Sequence, residues 1–86
     1  MDGTWRVGVL LDGTENVRTL AVGSSDTVAE AVSAATDALV CAALAHGRHE
    51  YRVAVAGTEI IIMPGLDQVG AVDFDALRGA LGHLAA

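Results

Sequence analysis

His46-Gly47-Arg48-His49-Glu50 is the densest run of metal-ligand and proton-transfer groups in the chain. Two imidazoles and a carboxylate are ligand types that Zn²⁺ accepts, yet a strong site also needs a second cysteine or a third histidine. Spacing counts as well. His46 and His49 flank Gly47, a residue type that ends helices, so they do not project from one helical face as a catalytic H-E-x-x-H pair does. Histidine and arginine at a helix C-terminus are explained by the negative end of the helix dipole. The expectation is that no metal is bound, with His46, His49 and Glu50 as the weak candidate ligands.

Cys41 is the single thiol. A reactive thiolate requires a helix N-terminus or a cationic neighbour to lower its pKa. Flanked by Val40 and Ala42 in the middle of a helical stretch, Cys41 has neither in sequence, which predicts a buried and inert thiol. The acids Asp12, Glu15, Glu59, Asp67, Asp73 and Asp75 gather at turns and helix starts, where capping explains Asp26 and Asp73 and turn formation explains Asp12. There is no calcium loop, nucleophile elbow or glycine-rich phosphate loop. The sequence therefore offers no catalytic residues and no cofactor.

Composition narrows the remaining classes. The 86 residues form one domain, 1–86, with 11 acids against 5 bases and a net charge of −6. All five bases are arginines, Arg6, Arg18, Arg48, Arg52 and Arg78, so lysine chemistry is excluded. An acidic balance also argues against nucleic-acid binding and against anionic membranes. Hydrophobic residues make up 52% of the chain, but no unbroken apolar stretch of about 18 residues is present, and the N-terminus lacks signal-peptide features. A soluble protein in the cytoplasm is the expectation, and the Ala-, Val-, Gly- and Arg-rich composition suggests a GC-rich bacterial genome.

The elements that position these residues are organised around Ser24–Ala45. Thr27-Val28-Ala29-Glu30 has the form of a capping box, placing the N-cap at Thr27. Val28, Val32, Ala35, Leu39 and Ala42 share one helical face, with Glu30, Ser33 and Asp37 opposite. Val40, Cys41 and Leu44 then continue the polar stripe as an apolar one, which predicts a second contact there, from the C-terminal helix or from another subunit.

Thr4–Leu11 alternates as a half-buried strand, Asp12-Gly13-Thr14-Glu15 carries a tight-turn signal, and Val17–Val22 reads as the returning strand. Glu50–Ala56 alternates again, Gly57-Thr58-Glu59 reads as a turn, and the continuous apolar run Ile60–Met63 predicts a strand covered on both faces. Leu66–Val72 reads as a loop, and Asp73 caps a last helix that places Phe74, Leu77, Leu81 and Leu84 on one face, broken in propensity by Gly79 and Gly82.

The order is ββαββα. It predicts an α+β domain with a four-stranded antiparallel sheet and two helices on one face. Trp5-Arg6-Val7-Gly8-Val9 also matches Tyr51-Arg52-Val53-Ala54-Val55, which fits a ββα internal repeat but also follows from the valine alternation and glycine turns that any two hairpins share; the order ββαββα stands without it.

Leu20-Ala21-Val22-Gly23-Ser24-Ser25-Asp26-Thr27-Val28-Ala29-Glu30 resembles the second strand and helix start of ubiquitin-like β-grasp proteins, and Val53-Ala54-Val55-Ala56-Gly57 resembles the strand and turn after that helix. The resemblance covers the first half of the chain and a few residues beyond. It implies a β-grasp-like first half and a carrier or docking role. The carriers of that family end in Gly-Gly, whereas this sequence ends His83-Leu84-Ala85-Ala86, so conjugation is not expected unless processing exposes Gly82.

These readings converge on a non-catalytic protein-interaction module or small subunit of a larger assembly, with a protein partner or self-association as a homodimer. The expected interaction surface is Val40, Cys41 and Leu44 on the helix, or Arg6, Arg18 and Arg52 aligned across the sheet. The alternatives are a ubiquitin-like carrier or docking domain, and a small dimeric enzyme or ligand-binding protein with its site at the subunit boundary.

Overall fold

Alternating side chains in Gly3–Leu10 (β1) and Glu50–Val55 (β3) make these the two central strands of a four-stranded sheet. Arg18–Ser25 (β2) and Thr58–Ile62 (β4) flank them, giving the order β2-β1-β3-β4 with every pairing antiparallel. A computed structural model describes residues 3–11 and 16–85, so the turn expected at 12–15 lies outside the described residues. The fold is α+β in the order ββαββα.

The two similar pentapeptides lie side by side. Trp5 is opposite Val55, Val7 opposite Val53 and Val9 opposite Tyr51. The midpoint of one segment thus meets the midpoint of the other, and a local twofold axis through the Val7–Val53 pair relates them. The β3–β4 turn is Ala56-Gly57, with φ of 50° and 86°. Two consecutive positive φ values define the tight hairpin turn whose twist matches that of the strands. Thr58 and Glu59, expected in the turn, are therefore strand residues.

Val28–His46 forms α1. Its start is fixed at Thr27, whose Oγ1 accepts from the Glu30 N–H at 3.1 Å and donates to the Glu30 carboxylate at 3.1 Å. Its end is fixed at Gly47, where φ is 77° and the N–H reaches the Ala43 carbonyl at 2.8 Å. Only glycine adopts that backbone readily. The Tyr51 hydroxyl donates to the Gly47 carbonyl at 2.5 Å, tying the helix end to the start of β3.

The core lies between α1 and one face of the sheet. Val7, Val9, Tyr51, Val53 and Val55 meet Ala31, Val32, Ala35, Leu39, Val40, Ala42 and Ala43 in one buried cluster. Phe74–Gly79 (α2) packs on α1 and places Leu77 in the same cluster, so both helices occupy one face.

Two expectations are corrected. The C-terminal segment is not one helix: α2 ends at Gly79, and a 3₁₀ turn follows at Gly82–Ala85. Two glycines of low helical propensity account for the break, while Leu77 and Leu81 stay buried and Phe74 and Leu84 pack on the core. β4 is not covered on both faces; it is an edge strand on which Ile61 is 59% exposed. The apolar run reflects alternation between a half-buried Ile60 and Ile62 and an open Ile61. Interrupted by Glu30, Ser33, Thr36 and Asp37, α1 still has a mean hydropathy of 1.6 and is long and apolar enough, by length and composition alone, to cross a membrane. In this fold it is the core helix, with Glu30 and Asp37 on its exposed side.

Candidate functional site

Alternation along each strand sends every second residue away from the helices, and that side of the sheet is open. Cross-strand register assembles it into rows. Val22, Arg6, Ala54 and Glu59 form one row across all four strands, and Thr19, Gly8, Arg52 and Ile61 form the next. Val22 is 67% exposed.

The short side chain of Ala54 leaves a passage between β1 and β4. Arg6 uses it, reaching over Ala54 to place Nη2 2.8 Å from Glu59 Oε2. Arg52 makes a second pair on the same face, with Nη2 2.6 Å and Nε 2.8 Å from Glu50 Oε2. A concavity of about 670 Å³ opens between Arg6, Val22, Ala54 and Glu59, lined also by Trp5 and Gly23. Trp5 faces Gly23 across the β1–β2 ladder, and its indole occupies the space a Cβ at position 23 would need, 2.5 Å away.

Two of the three arginines expected to align do so. Arg6 and Arg52 lie on the open face in adjacent rows, whereas Arg18 pairs with Val9, on the helix-facing side of the pleat. The cause is a bulge in β2: Val7 pairs with Ala21 but Gly8 with Thr19, leaving Leu20 as an extra residue. One extra residue shifts the alternation by one between the two sides of the bulge, so Arg18, which would share the open face with Val22 in an unbroken strand, projects from the other side.

The helical half of the expected surface is divided as well. Val40 is buried, 5% exposed, within the core cluster, whereas Leu44 is 68% exposed. Cys41 is exposed, which corrects the expectation of a buried thiol. α2 has six residues and is about 9 Å long, enough to cover only part of a 19-residue helix. Glu30, Ser33, Asp37, Cys41 and Leu44 consequently form one exposed stripe.

Near the helix end, Glu50 is engaged by Arg52, and Arg48 Nε donates to the Pro64 carbonyl at 3.1 Å. His46 and His49 are half-buried and are not joined by a third ligand; among the described residues no group of three or more His, Cys, Asp or Glu side chains could hold a metal. Tyr51, fully buried, has its pKa raised above 10.0 by desolvation.

Sequence reading overlooked Val22, Ala54, Glu59 and Ile61. For Glu59 and Ile61 the signal is the Ala56-Gly57 turn: once it closes the hairpin, register places Glu59 beside Ala54 and Ile61 beside Arg52, whereas Val22 is placed by its register with Arg6 on β1. No protein-family model, curated protein or solved structure matches the chain.

Proposed function

We propose that the protein is a non-catalytic protein-interaction module, acting as a subunit of a larger assembly, and that its docking surface is the open face of the sheet. The observation that carries this reading is the row Val22–Arg6–Ala54–Glu59. It combines an exposed aliphatic side chain, a concavity and an ion pair whose members are each about half exposed. Apolar contact with a charged rim is how protein surfaces recognise one another, and arginine is a favoured anchor residue. A partner with its own carboxylate would compete with Glu59 for Arg6, and one with a guanidinium would compete for Glu59.

The test is affinity capture with matched variants. Partners that bind the native protein should be lost with Arg6→Glu and with Val22→Lys, each verified as folded by circular dichroism, and retained with Leu44→Asp. Loss on Leu44→Asp alone would transfer the docking surface to the exposed stripe of α1. Equal capture by all three variants would remove both surfaces.

A further inference from the structure

The β4 edge differs from its counterpart at the other side of the sheet. β2 is guarded by the bulge at Leu20 and begins with Arg18, two devices that discourage edge-to-edge pairing. β4 has neither. Its five residues, Thr58-Glu59-Ile60-Ile61-Ile62, contain no lysine, arginine or proline, and their register with β3 is regular. Among the described residues no backbone hydrogen bond reaches β4 from outside the sheet. High β propensity and one charge in an unblocked edge make a template for another strand.

We infer that a second copy of this chain pairs along β4, antiparallel to the first about a twofold axis through Ile61, to form a continuous eight-stranded sheet. The edge is self-complementary in that register. Ile61 meets Ile61 of the second copy on the open face, while Ile60 meets its Ile62 on the helix-facing side, where both already pack against the core. A twofold interface requires this kind of self-match, residue against residue. Charge does not oppose this register. Glu59, the edge's one ionised group, is already neutralised by Arg6 of its own chain and would lie opposite the exposed Met63, so no like charges face each other.

Pro64 follows directly and lacks the N–H needed to extend the ladder. Pairing of five-residue strands covers less than a standard interface of about 1,600 Å², so the dimer is expected to be weak, with a Kd in the micromolar range or above. The inference stands apart from what the open face binds, because dimerisation only doubles the width of that face.

Sedimentation equilibrium from micromolar to millimolar protein tests it. The native chain should pass from monomer to dimer, Ile61→Lys should raise the Kd at least about tenfold by opposing two like charges, and Val22→Lys on the β2 side should leave it unchanged. In parallel, the Cys41→Ser, Ile61→Cys chain should form a disulfide-linked dimer on mild oxidation, and the Cys41→Ser, Val22→Cys chain should not. A native chain that stays monomeric throughout overturns the inference, as does a dimer that Ile61→Lys leaves intact. Should Ile61→Lys fail to fold, absence of the Ile61→Cys cross-link is the overturning result. Partner capture through Arg6 and Val22 is read separately, so failure of the dimer and failure of the docking surface are distinguishable.

Discussion

Arg6 meets Glu59 at 2.8 Å by spanning β3, crossing above Ala54 to join β1 to β4. The pair organises the open face, yet each side chain is about half exposed, and solvent screens exposed pairs to a median of about 0–1 kcal/mol. Arg6→Ala and Glu59→Ala should each lower stability by less than about 1 kcal/mol in urea titrations. A double-mutant cycle should give a coupling within the same limit, diminishing in salt. Lost partner capture without lost stability is the pattern expected of a docking residue. A coupling of several kcal/mol would make the pair structural instead.

Core and stripe should part company on α1. Leu39 is fully buried and Leu44 is not, so Leu39→Ala should cost about 2–5 kcal/mol, while Leu44→Ala should stay within about 0.5 kcal/mol of the native chain. Leu44→Asp should fold. Thermal melts of the three variants measure the contrast, and an unfolded Leu44→Asp would mean that the stripe is covered.

Gly23 is required by Trp5. A methyl group at position 23 would sit 2.5 Å from the indole ring, so Gly23→Ala should displace the ring and cost about 1–3 kcal/mol through overpacking. Trp5 is the single tryptophan. Its fluorescence maximum therefore reports the displacement directly, and an unshifted spectrum with native stability would argue against this contact.

Ala56 occupies a left-handed conformation, φ 50°, at the first position of the β3–β4 turn. A residue with a Cβ pays roughly 1–2 kcal/mol there, and Asn-Gly is the preferred pair for such a turn. Ala56→Asn should raise the melting temperature, and Ala56→Val should lower it.

Tyr51 supplies the pH dependence. Burial raises its pKa above 10.0, so the folded chain holds the phenolic proton where the unfolded chain begins to lose it. Tyr51's contribution is fully present below pH 10 and declines as pH rises through the folded-state value. Tyr51→Phe should flatten that alkaline decline while costing about 0.5–1.5 kcal/mol at neutral pH, because the hydrogen bond to the Gly47 carbonyl is lost. Denaturant titrations at neutral and alkaline pH separate the two effects.

Local chemistry was legible where the cause is local. Thr27 caps α1 and Asp73 caps α2 because their side-chain oxygens need only an N–H three residues on. Gly47 ends α1 because glycine, lacking a Cβ, takes the positive φ at the helix end without a clash. β1 and β3 were legible from alternation, whereas the strand status of Glu59 was hidden by Ala56, a residue that seldom marks a tight turn. Arg18 was misplaced for a different reason: the bulge at Leu20 depends on pairing with β1 and leaves no compositional trace in β2.

By itself the sequence determined the ββαββα order, the caps and the apolar faces, since propensity, capping and periodicity act over a few residues. Only the tertiary structure decided which apolar residues remain open. Val40 is covered and Leu44 is not, and Ile60 is half-buried beside an exposed Ile61. Exposure depends on where α2 stops and which strand lies at the edge, and these follow from contacts between segments distant in the chain. The pairing of Arg6 with Glu59 has the same origin: two residues that share no local relation became neighbours because β3 inserted the small Ala54 between them.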